Sequence, residues 1–221
     1  MHTKRLAVGY GKENKWLATP NPGKHGRDES IPLILVVRDI LGYADTGREA
    51  KKIIHEGMVS VDKKTQRDHK YGVGLMDVVE IPKLKKHYRV IPSKKGPVLK
   101  EIDAEESKIK LCRIIDKSRI KEGKTQYVLH DGGAMVSDKE DYKTRDTLVI
   151  TLPERKVRET IKFEKGNIAL VVKGRHSGHS GKIKDIIPGT ATRKSITALE
   201  DIQTLTKYSF VIGNEKPLIK V

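Results

Sequence analysis

Residues 46–63 read TGREAKKIIHEGMVSVDK, and this stretch carries a short helix and the strand after it almost residue by residue. Thr46 followed three positions later by Glu49 is a capping-box pattern: the Thr hydroxyl can accept from the Glu49 N–H while the Glu49 carboxylate reaches back to the Thr46 N–H. The helix therefore starts at Gly47. At about 100° per residue, Arg48, Lys51, Lys52 and His55 share one arc and Ala50, Ile53 and Ile54 the opposite one. One face is basic and the other is built for burial. Gly57 can take the left-handed conformation that ends a helix. Met58-Val59-Ser60-Val61 then alternates as a half-buried strand running into a turn at Asp62-Lys63-Lys64.

A solvated helix face would by itself account for those cations. The whole chain argues for more. Its 221 residues hold 45 Lys and Arg against 29 Asp and Glu, a formal net charge of +16 that far exceeds what solubility requires. The excess is uneven: +3 over residues 1–30, +7 over 31–100, 0 over 101–160 and +6 over 161–221. Two basic blocks flanking a neutral one point to a polyanion held at both ends of the fold.

With 36% hydrophobic residues and few aromatics, several small cores are expected in place of one thick one. The lone Cys112 excludes an internal disulfide and a cysteine-built zinc site and fits a reducing cytosol. No leader pattern opens the chain and no apolar run approaches the ~20 residues of a membrane span, so a soluble intracellular protein is expected.

Residues 1–30 show neither helical nor strand period and read as a basic arm. Lys4, Arg5, Lys12, Lys15, Lys24 and Arg27 can neutralise phosphates, and Trp16 can stack on a base or plug a groove in its own protein. Ser30 reads as the cap of a buried helix over Leu33–Leu41, with Pro32 in its first turn and Gly42 as its stop. Strand-like runs follow at 76–81, 87–91 and 98–102, broken by Pro92, Gly96 and Pro97. The neutral block has strands at 109–115, 125–130, 134–136 and 147–152, with Asp131-Gly132-Gly133 as a hairpin connection. Its balanced charge suggests scaffold more than contact. The last sixty residues repeat short strands at 168–172, 182–187, 195–199 and 209–212, which suggests a small closed barrel. Between the first two lies Lys173-Gly174-Arg175-His176-Ser177-Gly178-His179-Ser180-Gly181, where glycines allow close backbone approach and Lys173, Arg175, His176, His179 and Lys182 offer donors.

Catalytic readings find little support. The glycine loop is not a P-loop, since His176 and Ile183 stand where Gly and Ser or Thr are required. Gly72-Val73-Gly74 lacks the third glycine of a dinucleotide site. His176 and His179 have a metal-like spacing, but Asp185 is the only close carboxylate. Asp138, Glu140 and Asp141 have no second acidic cluster to complete a metal site. No nucleophile, base and orienting group stand together, so no enzyme activity, cofactor or metal is expected.

Gly47-Arg48-Glu49-Ala50 with Ile53-Ile54, Gly57, Val59 and Val61-Asp62-Lys63 resembles the S-four type RNA-binding domain. Lys165-Gly166-Asn167, Leu170-Val171-Val172, Gly174, Gly178 and Gly181-Lys182-Ile183 resemble a KOW motif. With His2-Thr3-Lys4-Arg5-Leu6-Ala7, Ile31-Pro32-Leu33, Gly42-Tyr43-Ala44, Gly74-Leu75-Met76-Asp77-Val78-Val79 and Ser209-Phe210-Val211-Ile212-Gly213, the chain resembles the ribosomal protein S-four-e family, archaeal type, along its length. The resemblance implies an α+β, mostly β fold: an arm (1–30), a helix-pair-plus-strand RNA-binding domain (31–100), a central β domain (101–160) and a KOW-type small barrel (161–221). It implies a structural constituent of the small ribosomal subunit, cytoplasmic, with small-subunit rRNA and neighbouring ribosomal proteins as partners and no membrane or small-molecule substrate. Arg48, Lys51, Lys52 and His55, the turn lysines Lys63 and Lys64, the arm, and the 173–182 loop are its expected RNA contacts. The rivals are an RNA-modifying enzyme, for which the neutral block is too short, and a KOW-bearing factor that binds transiently.

Overall fold

The computed structural model describes residues 17–120, 123–137 and 141–220. They form two compact units, one made of the chain up to Ile91 with Lys95–Lys110 and Thr151–Arg155, the other of Pro92–Lys94, Leu111–Ile150 and Lys156–Val221. Short strands dominate both, with two short helices in the first, so the mostly β reading stands.

In chain order the early elements are β1 (Ser30–Pro32), α1 (Leu33–Leu35, continuing as a wider π turn over Val36–Ile40), α2 (Gly47–His55), β2 (Val59–Val61), β3 (Lys64–Gln66), β4 (Gly72–Gly74), β5 (Val78–Ile81), β6 (Lys86–Ser93) and β7 (Gly96–Ile102). The expected capping box on α2 is present in both directions. Gly57, at φ +74°, ends the helix as read. The expectation for Ser30 fails. A residue before proline is driven away from helical geometry, so Ile31 stays extended, and Ser30–Pro32 pairs with β4 while Pro32 precedes the helix. The Ser30 hydroxyl donates to the Gly26 carbonyl at 3.0 Å instead of capping. Nor do Pro92, Gly96 and Pro97 interrupt the strands: β6 runs through Pro92 and β7 through Pro97.

β2, β3, β5, β6 and β7 form one sheet in the order β3-β2-β5-β6-β7. Asp62 and Lys63 close β2 onto β3 at φ +52° and +63°, the two-residue turn whose twist suits a hairpin. Val59, Val61, Val79, Tyr88 and Val90 pack with Ile31, Leu33, Val36, Val37, Ala50 and Ile54 in one apolar cluster, which seats both helices. Leu17 and Ala18 pack against it, and the Asn21 N–H donates to the Lys70 carbonyl at 2.9 Å. The second half of the segment read as an arm is thus pinned to the first unit.

β2 is buried along its whole length, Ser60 included at 6% exposure, where a half-buried strand was expected. Opposite Ser60 stands Glu80, part of a layer of paired charge. Lys110 Nζ donates to Asp62 Oδ2 at 2.6 Å and to Asp77 Oδ1. His25 Nε2 lies 3.0 Å from Asp77 Oδ2, which also accepts from the Gly74 N–H at 2.9 Å. Lys63 and His87 both meet Glu80 Oε1, the latter at 3.1 Å. Arg89, with no exposed surface, donates to Glu106 Oε1 at 3.2 Å and to the carbonyls of Glu106 and Ile109 at 2.9 Å. Buried ions survive only when paired and hydrogen-bonded. Gly74 is required here, because a Cβ would fall on the His25 ring.

The later strands are β8 (Ile109–Arg119), β9 (Thr125–Leu129), β10 (Ala134–Ser137), β11 (Thr147–Thr151), β12 (Val157–Ile161), β13 (Ile168–Val171), β14 (Ser180–Ile187), β15 (Ile196–Leu199), β16 (Gln203–Leu205) and β17 (Ser209–Gly213). They make two five-stranded sheets, ordered β10-β9-β8-β11-β12 and β16-β15-β14-β13-β17. β12 and β16 were not anticipated. Cys112 is buried with Ile114, Tyr127, Leu129, Leu148 and Ile150 in the core of the first of these sheets. Gly132, at φ +70°, turns β9 into β10 where the hairpin was expected. Register shifts at Ile183/Asp185 and Ile168/Ala169 are bulges, which sharpen the twist of the last sheet.

Candidate nucleic-acid interface

The amphipathic pattern of α2 decides its orientation. Ala50 and Ile54 are fully buried, so Arg48, Lys51, Lys52 and His55 are forced outward, and all four are exposed. The capping box leaves the Glu49 carboxylate occupied with the N–H groups of Asp45 and Thr46 at 3.1 and 3.3 Å. Apart from a 4.0 Å approach of Lys52 Nζ to Glu56, no ion pair engages Arg48, Lys51 or Lys52 among the described residues.

The β3–β4 loop widens this face in a way that periodicity could not reveal. The His69 ring lies 5.8 Å from that of His55. Burial, and next the charge of Lys51, hold the His69 imidazole below its usual range, with Asp68 opposing them and His55 and Lys70 adding smaller downward pushes. Asp68 is itself occupied, accepting from the Lys70 N–H at 2.8 Å and from the Asn21 amide at 2.9 Å. Arg67 and Lys70 are exposed beside it. The helix and the loop thus form one basic surface.

The other candidates fare differently. Lys4, Arg5, Lys12, Lys15 and Trp16 lie outside the described residues. Arg27 is exposed, but Lys24 Nζ approaches Asp62 Oδ2 at 3.4 Å. Lys64 is exposed, whereas Lys63 is turned onto Glu80 and donates to the Ser107 hydroxyl at 3.0 Å. In the glycine loop Lys173, Arg175, His179 and Lys182 are exposed and His176 is half-buried. Gly174 and Gly178 have φ +95° and +84°. The close approach at Gly178 is to its own chain: a Cβ there would stand 2.9 Å from the Pro92 carbonyl oxygen. No group of three or more metal-binding side chains occurs among the described residues.

Comparison with known proteins agrees with these features. The model of the ribosomal family S4e matches residues 84–157. The small ribosomal subunit protein eS4 of Ignicoccus hospitalis is 42% identical over 240 residues, covering 100% of this chain and 94% of that protein. Its counterpart from Methanothermobacter thermautotrophicus is 44% identical over 219 residues, covering 96% and 90%. The crystal structure of the 30S ribosomal protein S4e from Thermoplasma acidophilum superposes with a TM-score of 0.78 at 31% identity, over 87% of this chain and 100% of that one. Full-length identity at this level, on a shared fold and with archaeal relatives, settles the assignment: the chain belongs to the S4e family of small-subunit ribosomal proteins, structural and non-enzymatic constituents of the cytoplasmic ribosome.

Proposed function

We propose that the chain binds small-subunit rRNA through the surface formed by α2 and the β3–β4 loop, and that it supports subunit assembly and translation from that position. The observation that carries this reading is the exposure of Arg48, Lys51 and Lys52 beside His55, His69 and Lys70, with the nearby carboxylates of Glu49 and Asp68 already occupied. Cations kept free of intramolecular partners are available to phosphates, and such contacts fix register more than they read sequence.

In this reading the first thirty residues supply further cations to the RNA, residues 31–100 form the S-four type domain, 101–160 the central domain and 161–221 a KOW-type barrel. The 173–182 loop is a second contact, made by the exposed Lys173, Arg175, His179 and Lys182 with His176 beside them. Neighbouring small-subunit proteins are the remaining partners. Sedimentation of a lysate through a high-salt sucrose gradient tests the reading: the chain travels with the small subunit at near one copy each, and its recovery at the top of the gradient would instead favour a transient factor. With purified chain and rRNA, Arg48→Ala with Lys52→Ala lowers the slope of log K against log salt by about 1.5.

A further inference from the structure

Between Asp185 and Glu200 the sequence holds Arg193 and Lys194 and no acidic residue. This segment is the β14–β15 connection, and its tip is organised: the Thr190 N–H donates to the Arg193 carbonyl at 2.8 Å and the Arg193 N–H to the Thr190 hydroxyl at 3.2 Å. Gly189 packs so closely that a Cβ would stand 2.9 Å from the Arg193 carbonyl oxygen. Thr190, Thr192, Arg193 and Lys194 are all exposed.

The loop before β11 reaches the same place. Arg145 Nη2 lies 3.5 Å from the Ser195 hydroxyl at the base of that hairpin. Arg145 adopts φ +79°, a backbone conformation that side-chain-bearing residues rarely take. The next residue, Asp146, is 5% exposed, and its carboxylate accepts from the N–H groups of Lys143 and Phe163 at 2.9 Å each. The Arg145 N–H donates to the Ile114 carbonyl at 2.8 Å. Asp146 is thus occupied with backbone, and no ion pair engages Arg145 among the described residues. Backbone strain retained at an exposed arginine points from an observed outlier to a use.

We propose that Arg145, Arg193 and Lys194, with the hydroxyls of Thr190, Thr192 and Ser195, form a further RNA phosphate-binding site on the second unit. The site rests on the rRNA-binding reading above and adds to it a contact from the block whose net charge is zero. A guanidinium can grip a phosphate through two parallel N–H donors, and hydroxyls beside it complete the cradle.

The test uses the full chain and small-subunit rRNA, with affinity measured across a salt series. Removing three cations, in R145A/R193A/K194A, lowers the slope of log K against log salt by about 2 and weakens binding roughly tenfold to a hundredfold near physiological salt. The R145G variant separates function from folding: glycine accepts the left-handed backbone freely, so its melting temperature holds or rises while RNA affinity falls. An unchanged slope in the triple variant, with the Arg48→Ala, Lys52→Ala chain still losing its share, overturns this site and leaves the α2 reading intact. Absence of rRNA binding by the parent chain would overturn the broader reading and this site with it.

Discussion

Lys63, Lys110 and Arg89 beneath the first sheet and Arg48, Lys51 and Lys52 on α2 are the same residue types put to opposite uses. Lys110 and Arg89 are shut away from water against Asp62, Asp77 and Glu106, and Lys63, half-buried, is turned onto the buried Glu80. The second three stand in solvent, with Glu49 and Asp68 occupied elsewhere and Glu56 approaching Lys52 at 4.0 Å. Desolvation makes the difference: a cation out of water is tolerable only when paired, while an exposed one loses little by waiting for a partner. A net charge of +16 is therefore a poor count of RNA contacts. Position in the fold decides which cations are available.

Lys110→Met breaks this comparison most severely, because it leaves Asp62 and Asp77 buried together without their shared cation. A loss of about 3–5 kcal/mol is expected in urea unfolding. A much smaller loss would mean that water reaches the pair. Acid gives a milder form of the same test. Burial would raise the Asp77 carboxyl, but the charge of Lys110, the hydrogen bond and charge of His25, and the Gly74 N–H outweigh it and hold it far below the ordinary range. A carboxyl depressed in the folded state contributes stability above its unfolded pKa of about 4 and loses that contribution as pH falls toward the folded value. The urea midpoint should decline below that pH, and Asp77→Asn, less stable at neutral pH, should show a flatter decline.

On the exposed side the effects are smaller. Thr46→Ala removes the cap of α2 and should cost about 1 kcal/mol in thermal unfolding. The salt slope of RNA binding should be untouched, since the helix stays packed through Ala50 and Ile54. The finest test is the titration of His69 by NMR. Its pKa lies below the usual histidine value and should move up in Lys51→Ala, with a further upward move when RNA phosphates enter. No response in either case would mean that helix and loop are not one electrostatic surface.

α2 was legible because its determinants are local: a cap, a stop and a side-chain period all fall within residues 46–57. Even its neighbour β2 was read on one side only, since Glu80 opposite Ser60 and Lys110 on Asp62 both lie further along the chain. β1 was hidden for a similar reason. Ser30-Ile31-Pro32 has the look of a helix entry, and what makes it a strand is pairing with Gly72–Gly74. β12 and β16 are largely polar and solvent-facing, so their sequences carry weak alternation; neighbouring strands define them. For the site, the helical arc picked out Arg48, Lys51, Lys52 and His55, whereas His69 and Lys70 join them only through the fold. For Lys63 nothing local announces Glu80 and Ser107 as its partners.

The first unit is not a continuous piece of chain. Val78 and Ile102 are buried with Leu152, and the Leu152 N–H donates to the Lys108 carbonyl at 2.8 Å. During synthesis, Ile102 therefore waits for about fifty more residues, on the order of 3–10 s at ordinary translation rates, before its last apolar neighbour exists. A fragment ending near residue 110 retains both helices and the first sheet but leaves Val78 and Ile102 uncovered. A piece of this protein that covers Val78 and Ile102 must run at least through Leu152.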